Sequence, residues 1–264
     1  MKIDEIHDAS TTYANLLNSR SITNSLKKIV KATVQGDKFF VAPYCYLQHN
    51  LMDVDFSDKK KLEAKYYRAD KDVIDIEDSA DIKKYIVPLY KSLVKGHKNV
   101  VGMIGIPIID INDGSNIGDH YVCYIMTNNR LFYFDSAQGG TCKDSMNENT
   151  YILIRNTFKT ARVMCNRGIF EESGGISEDE NSYVGQNIFC HSWCFWFIYN
   201  MLNNEFNMNT INKMAGTNRE NLIRIKKFIY NTLIHVAELD ILFRSRSFKG
   251  FNYIITPGGG IEAL

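Results

Sequence analysis

No run of apolar residues in this chain approaches the roughly 18 to 20 that a membrane-spanning helix requires. The richest stretch, residues 187–202, is interrupted by Asn, His and Ser. Nor is there an excess of charge of one sign: 31 basic side chains stand against 30 acidic ones. That balance gives no general electrostatic reason to bind nucleic acid or an anionic membrane, although a local basic face is compatible with it. A secretory signal is missing from the start, where acids and polar groups interleave with apolar residues in place of a basic start, an apolar core and a small-residue cleavage site. Six cysteines (Cys45, Cys123, Cys142, Cys165, Cys190 and Cys194) in 264 residues do not make a small disulfide framework, and a reducing, intracellular compartment fits them better. Proline is down to four residues while Asn, Ile and Lys are plentiful, a skew of AT-rich genomes that concerns codons rather than fold. No internal repeat is visible. What remains, 45% hydrophobic and 23% charged residues, is the mixture of a globular protein with one core, and it excludes global disorder.

Between residues 10 and 34 the positions Leu16, Leu17, Leu26, Ile29 and Val30 fall loosely at helical spacing, broken by Ser and Asn near 18–24, which predicts two short helices. Residues 38–47 read as an extended piece interrupted by Pro43, and the charged segment 55–72 as a solvated helix plus loop. A helix is predicted from Ser79 to Val94, kinked or split at Pro88 and followed by Gly96 as a C-cap signal. The character changes at Asn99. Residues 100–111, 120–127 and 130–136 are β-branched and aromatic runs that predict three strands, the second and third joined as an antiparallel hairpin through Asn128-Asn129-Arg130. A helix at 151–158, a strand at 161–166 and an acidic loop at 171–187 follow. Further helices are predicted from Cys190, at 208–216 and at 219–239, before a tail with one strand. The order implies an α+β fold, with a helical and mixed extension over 1–95 and a core over 96–264.

The segment opening at Cys190 carries the most chemical information. Trp193, Cys194, Phe197, Ile198, Met201 and Leu202 form a helical stripe, and Phe195, Trp196 and Tyr199 cover the other side, so the helix should be buried nearly all round. Cys190 would then sit in its first turn, where unsatisfied N–H groups and the helix dipole lower a thiol's pKa and favour the nucleophilic thiolate. The competing reading makes Cys190 and Cys194 small hydrophobes on an apolar helix. A third reading, Cys190, His191 and Cys194 as metal ligands, lacks the second close pair that a zinc site requires, so no metal or other cofactor is expected. His120 opens a strand after a Gly- and Asp-rich turn, and the hairpin returns through Asp135 toward the same end of the sheet. Taken singly, His120 is an exposed turn residue and Asp135 a strand ending. Taken jointly with Cys190 they form a Cys-His-Asp constellation, in which Asp135 would hold the imidazole by its Nδ1–H.

Three pieces, GDHYVCYIM, LFYFDSAQG and GQNIFCHSWCFWFIYNML, resemble the adenain-like and ubiquitin-like-protein-protease (sentrin-specific protease) cysteine peptidases, and most resemble their divergent members in large eukaryotic DNA viruses. The resemblance covers about residues 100–205. It implies a papain-like fold of the adenain type: a central mixed or antiparallel sheet and a buried central helix opening at the nucleophile. It implies His120 as base, Asp135 as orienter, Cys190 as nucleophile and Gln186 as oxyanion donor, with Asn187 as the alternative donor. Tyr121 stands where the family usually has Trp, His191 replaces a usual Gly, and Gln186 lies four residues before the Cys rather than six or seven. Tyr121 and Trp193 would wall a narrow channel that favours Gly-containing cleavage sites. The implied activity is cleavage of protein substrates, either viral core or capsid precursors during particle maturation or ubiquitin-like conjugates. An acyltransferase or an inactive binding module on the same fold are the other readings. The implied setting is the host cytoplasm or the virion, as a monomer, with no membrane insertion and no indicated nucleic-acid or peptide activator. Gly258-Gly259-Gly260 in the tail resembles a diglycine cleavage site, against the simpler reading of a flexible terminus.

Overall fold

The structure, a computed structural model, describes residues 19–47, 67–68, 73–76, 83, 86–109, 116–142, 146, 148–171, 189–233, 253–255 and 261–263. Alternating β-branched and aromatic residues build its centre. Strands β5 (Val100–Ile109), β6 (Asn116–Thr127) and β7 (Arg130–Asp135) pair antiparallel in succession. Along β6 and β7, Cys123, Ile125, Phe132 and Phe134 enter one core, while Val122, Tyr124, Leu131 and Tyr133 enter a second. A strand places successive side chains on opposite faces. Because both faces are apolar, helices cover the sheet on both sides. The predicted hairpin turn is there: Asn128 and Asn129 hold φ of 47° and 57°, a left-handed pair that matches the twist of the strands and that Asn tolerates better than most residues. Asn129 also accepts the Arg162 N–H at 2.8 Å, where β8 (Arg162–Cys165) begins alongside and parallel to β7.

On the other side of β5 the early part of the chain is built into the same sheet. Strands β1 (Phe40–Val41) and β2 (Tyr44–Leu47) both pair parallel with β5, flanking Pro43 as expected. Beyond β2 lies β4 (Val73–Ile76), and β3 (Tyr67–Arg68) forms the edge, giving the order β3-β4-β2-β5-β6-β7-β8 with β1 as a side branch. The sheet is therefore mixed and the fold α+β. Residues 67–68 correct the reading of 55–72 as helix plus loop, and β4 was not anticipated. Such short strands carry too few residues for a period to be read, and it is pairing that makes them strands.

Helix α1 (Ser19–Lys31) is continuous from Ser19, where a break was expected near 18–24. Thr23 and Ser25 are buried on it, and Thr23 Oγ1 accepts the Tyr44 N–H of β2 at 3.1 Å, so a polar side chain serves packing instead of ending the helix. Helix α2 (Val87–Val94) has Pro88 in its first turn, where the missing N–H has no helical partner to lose, rather than at a kink. Helix α3 (Glu148–Thr157) joins α2 on one face of the sheet. The opposite face is covered by α1, α4 (Cys190–Asn203), α5 (Met208–Lys213) and α6 (Asn218–Phe228), the last continuing as a π-helical turn, Ile229–Leu233. Every residue of α4 from Cys190 to Ile198 is buried, as its all-round apolar pattern implies. In the tail, β9 (Tyr253–Ile255) and β10 (Ile261–Ala263) pair antiparallel, and Gly258-Gly259-Gly260 lies outside the described residues. Among the described residues no helix is long and apolar enough to cross a membrane.

Cys45, Cys123, Cys190 and Cys194 are outside any disulfide, but Cys142 and Cys165 are joined by one that ties the segment after β7 to β8. That pair departs from the thiol-only chain that a reducing compartment implies. The bridge closes a sequence separation of 23 residues. Cys165→Ser should therefore lower the unfolding free energy by about 3 kcal/mol through loop-closure entropy. Urea denaturation of the unreduced proteins measures this, and added reductant should erase most of the difference.

Candidate active site

The hairpin register brings the first two groups together. Asp135 pairs with Val122, and His120 lies two residues before Val122 on the same face of β6, beyond the end of β7. Diagonal neighbours of this kind are within reach of a long side chain. His120 Nε2 and Asp135 Oδ1 are 2.8 Å apart, with the two side chains 14% and 4% exposed. Nε2 thus makes the carboxylate contact, not the Nδ1 expected from the sequence. Nδ1 is left buried and without a hydrogen-bond partner.

Helix α4 brings the third group. It packs against β6, where Cys194 Sγ donates to the Tyr121 carbonyl at 3.4 Å and Cys123 Sγ donates to the Cys194 carbonyl at 3.7 Å. One turn earlier, about 5.4 Å along the axis, Cys190 comes beside His120, close enough for thiol and imidazole to act on each other's charge. With Nε2 engaged by Asp135, Nδ1 is the nitrogen left for the thiol. Cys190 is the first residue of α4, and the side chain of its N-cap residue, Phe189, makes no capping hydrogen bond. Its early N–H groups point where an anion would be stabilised.

Charge and burial oppose each other here. Burial is the largest influence on His120 and acts against the imidazolium. The hydrogen bonds to Asp135 and Cys190, together with their charges, outweigh it and raise the ring to about 11. Burial likewise pushes the Cys190 thiol up. The His120 hydrogen bond and charge and a hydrogen bond from the Tyr121 backbone pull it down, and the Glu171 charge adds to the rise. The net direction is upward, which corrects the expectation of a thiol lowered by the helix terminus. A helix dipole is a fraction of a unit charge, and a fully enclosed sulfur loses more hydration than that returns.

No protein-family model and no curated protein matches this chain. Among solved structures it is similar to the C-terminal Ulp1 protease domain in complex with Smt3, the yeast ortholog of SUMO, at 13% identity over 84% of this chain and 77% of that one, with a TM-score of 0.31. It is also similar to the Legionella pneumophila effector RavZ. One RavZ structure, of residues 1–487, gives 12% identity over 89% and 76% of the two chains with a TM-score of 0.31, and a second gives 11% and 0.34 over the same shares.

Gln186 and its alternative Asn187 lie outside the described residues. Tyr121 is half-buried beside the site, its ring 6.0 Å from Tyr44 and edge-on to His191 at 5.7 Å. His191 itself is buried, and burial lowers its pKa to about 4, so it is a neutral ring beneath Tyr121. Trp193, read as a channel wall, is 1% exposed and packs against Phe170 and Trp196, both with ring centroids at 5.2 Å. The fourth residue of α4, it is core in this structure, enclosed by aromatic rings.

Two supporting residues escaped the sequence. Asn166, fully buried just after β8, accepts the Asp135 N–H through Oδ1 at 3.0 Å. Its Nδ2 donates to the carbonyls of Asp135, Gln138 and Gly168 at 2.7, 2.9 and 2.9 Å. Asp135 Oδ1 also accepts the Ala137 N–H at 2.9 Å. Glu171 accepts the Phe189 N–H at 3.1 Å and the Ser136 hydroxyl at 3.0 Å. A polar residue directly after a strand was the available signal for Asn166. Glu171 had none, being one acid among many in an acidic segment.

A histidine whose folded pKa is raised contributes stability that is complete below its unfolded value, near 6.5, and is lost as pH climbs through the folded value of about 11. NMR titration should accordingly find the His120 ring still protonated at about pH 9 in the wild type. In Asp135→Asn the carboxylate's charge is gone and burial dominates, so the midpoint should fall to about 6.5 or below.

Proposed function

We propose that this chain is a cysteine peptidase with Cys190 as nucleophile, His120 as acid and base, and Asp135 as the group that orients and charges the imidazole. The observation that supports the reading is one half-buried ring whose Nε2 meets the Asp135 carboxylate and whose Nδ1 has no hydrogen-bond partner, with Cys190 close enough to act on its charge. Orientation by Asp135 fixes which nitrogen faces sulfur, and the paired charge keeps a proton on the ring in surroundings that would otherwise expel it.

In this reading the Cys190 thiolate attacks a peptide or isopeptide carbonyl carbon, forming a C–S bond and an oxyanion. The first N–H groups of α4 hold that oxyanion, with Gln186 as the side-chain donor; one such donor is worth about 10²–10³ in rate. His120 Nδ1 then gives its proton to the amine nitrogen as the C–N bond breaks, leaving a thioester. Water, losing a proton to the same nitrogen, attacks the thioester, and the acid leaves as the thiol is restored. Tyr121 bounds the approach to the site and favours residues without a side chain next to the cleaved bond. Residues 1–95 contribute to substrate recognition, a role supported by Tyr44 of β2 lying against Tyr121. Precursor cleavage in virion maturation and removal of ubiquitin-like conjugates are the two substrate settings, and both rest on the sequence resemblance.

A vinyl-sulfone probe should label Cys190 in preference to Cys45, Cys123 and Cys194. Labelling should fall by about 10²–10⁴ in His120→Ala, the usual worth of a positioned acid-base group. Comparison of proteins cleaved by the wild type and by Cys190→Ser then reads the substrate. Equal, sluggish labelling of all four thiols with no cleavage would mark the chain as a binding module instead.

A further inference from the structure

Glu171 stands at one chain end and Phe189 at the other of a segment 18 residues apart, and the Glu171 carboxylate joins them directly, Oε1 accepting the Phe189 N–H at 3.1 Å. Its second oxygen accepts the Ser136 hydroxyl at 3.0 Å, and the N–H groups of Phe170 and Glu171 both donate to the Ser136 carbonyl, at 2.8 and 2.9 Å. Ser136 is fully buried and follows Asp135. Phe189 precedes Cys190 and is the residue whose carbonyl accepts the first helical bond of α4, from Trp193 at 2.8 Å. Phe170, wedged between Phe134, Trp193 and Trp196 at ring separations of 5.2 to 5.4 Å, holds the backbone of 171 in place. One side chain therefore fastens the residue after the carboxylate that holds the His120 ring to the residue before the neighbouring thiol.

We propose that Glu171 is a positioning residue, a clamp whose two oxygens set the distance between the end of β7 and the start of α4 and so fix the spacing of Asp135 and Cys190 across His120. This rests on the peptidase reading above. The clamp is also a charge. It faces His120 on β6, Asp135 on β7 and Cys190 on α4. Burial raises its pKa to about 7 against the hydrogen bonds from Phe189 and Ser136 and the His120 charge, which lower it, while Asp135 raises it further. When ionised it disfavours the neighbouring thiolate. Position and charge thus act in opposite directions on Cys190, and variants separate them.

Glu171→Gln keeps an acceptor for Phe189 and a partner for Ser136 while removing the charge; Glu171→Ala removes both. Iodoacetamide alkylation of Cys190, followed by peptide mass spectrometry across pH 5 to 10, needs no substrate. Glu171→Gln should alkylate roughly threefold faster than the wild type near neutral pH, since a like charge has gone and the less basic thiolate is a slightly poorer nucleophile. It should also lose an inflection near pH 7. Adding His120→Ala should slow Glu171→Gln as much as it slows the wild type. In Glu171→Ala the cost of His120→Ala should shrink to within about twofold, because the spacing it depends on is lost. Ser136→Ala, which removes one of the two bonds, should lie between, and it carries the same test if Glu171→Ala does not fold. A His120-dependent thiol whose dependence is undiminished in Glu171→Ala and Ser136→Ala would overturn the clamp alone. A thiol indifferent to His120→Ala in the wild type would overturn the peptidase reading and the clamp with it.

Discussion

The hydrogen bond between His120 and Asp135 is a consequence of strand register, and the rest of the site is arranged around it. A slip of one residue between β6 and β7 would place the two side chains on opposite faces. Burial of both faces makes such a slip costly, because it would move Phe132 and Phe134 out of one core and Leu131 and Tyr133 out of the other. The Asn128-Asn129 turn fixes the register from one end and Asn166 fixes the backbone of Asp135 at the other. The imidazole is thus placed by backbone pairing, with little left to side-chain freedom.

Placing this pair at a buried sheet end has an electrostatic consequence that an exposed pair would not show. Removal of water acts against an imidazolium and against a thiolate alike: Asp135 and Cys190 sustain the charged ring, whereas the ring's charge and the Tyr121 backbone only partly offset burial at the sulfur. Asp135 matters for its charge as much as for its geometry. Three groups that each lose hydration are retained together because the set leaves none of them a lone buried ion. The early N–H groups of α4 add to this balance at the sulfur without deciding it.

The parts of this arrangement legible in the sequence are those governed by local pattern. Alternating apolar residues around Asn128-Asn129 define the hairpin, and an apolar helix with no polar face defines α4, so His120, Asp135 and the start of that helix could be named from residues alone. What escaped depends on direction or on distant partners. The choice of Nε2 over Nδ1 follows from where the ring stands relative to the end of β7, a matter of ångströms rather than residue type. The sign of the Cys190 shift follows from enclosure by elements far away in the chain. Ser and Asn near 18–24 suggested a helix break because the partners that polar side chains find there, such as the Tyr44 backbone for Thr23, are invisible in one dimension. Cys142 and Cys165 carried no spacing that marks a disulfide, and β3 and β4 are too short for a period. Pro88 was read as a kink because the α-helical start at Val87 has no mark of its own in the sequence.

One strand separates the early part of the chain from the imidazole, and this ties its packing to the chemistry. Gly105 of β5 pairs with Tyr46 on one side and Tyr121 on the other, while the next residue, Ile106, pairs with His120. A Cβ at Gly105 would collide with the Tyr44 hydroxyl, so the missing side chain is what lets the Tyr44 ring lie across β5 and reach Tyr121. Tyr44 is itself held by the Thr23 hydroxyl of α1, and α1 packs in the same core as α4. A continuous path of contacts therefore runs from α1 through Tyr44 and Tyr121 to the two sides of the Cys190 and His120 pair. Its rigidity comes from close packing at each step. The first described helix is in this sense part of the frame of the site.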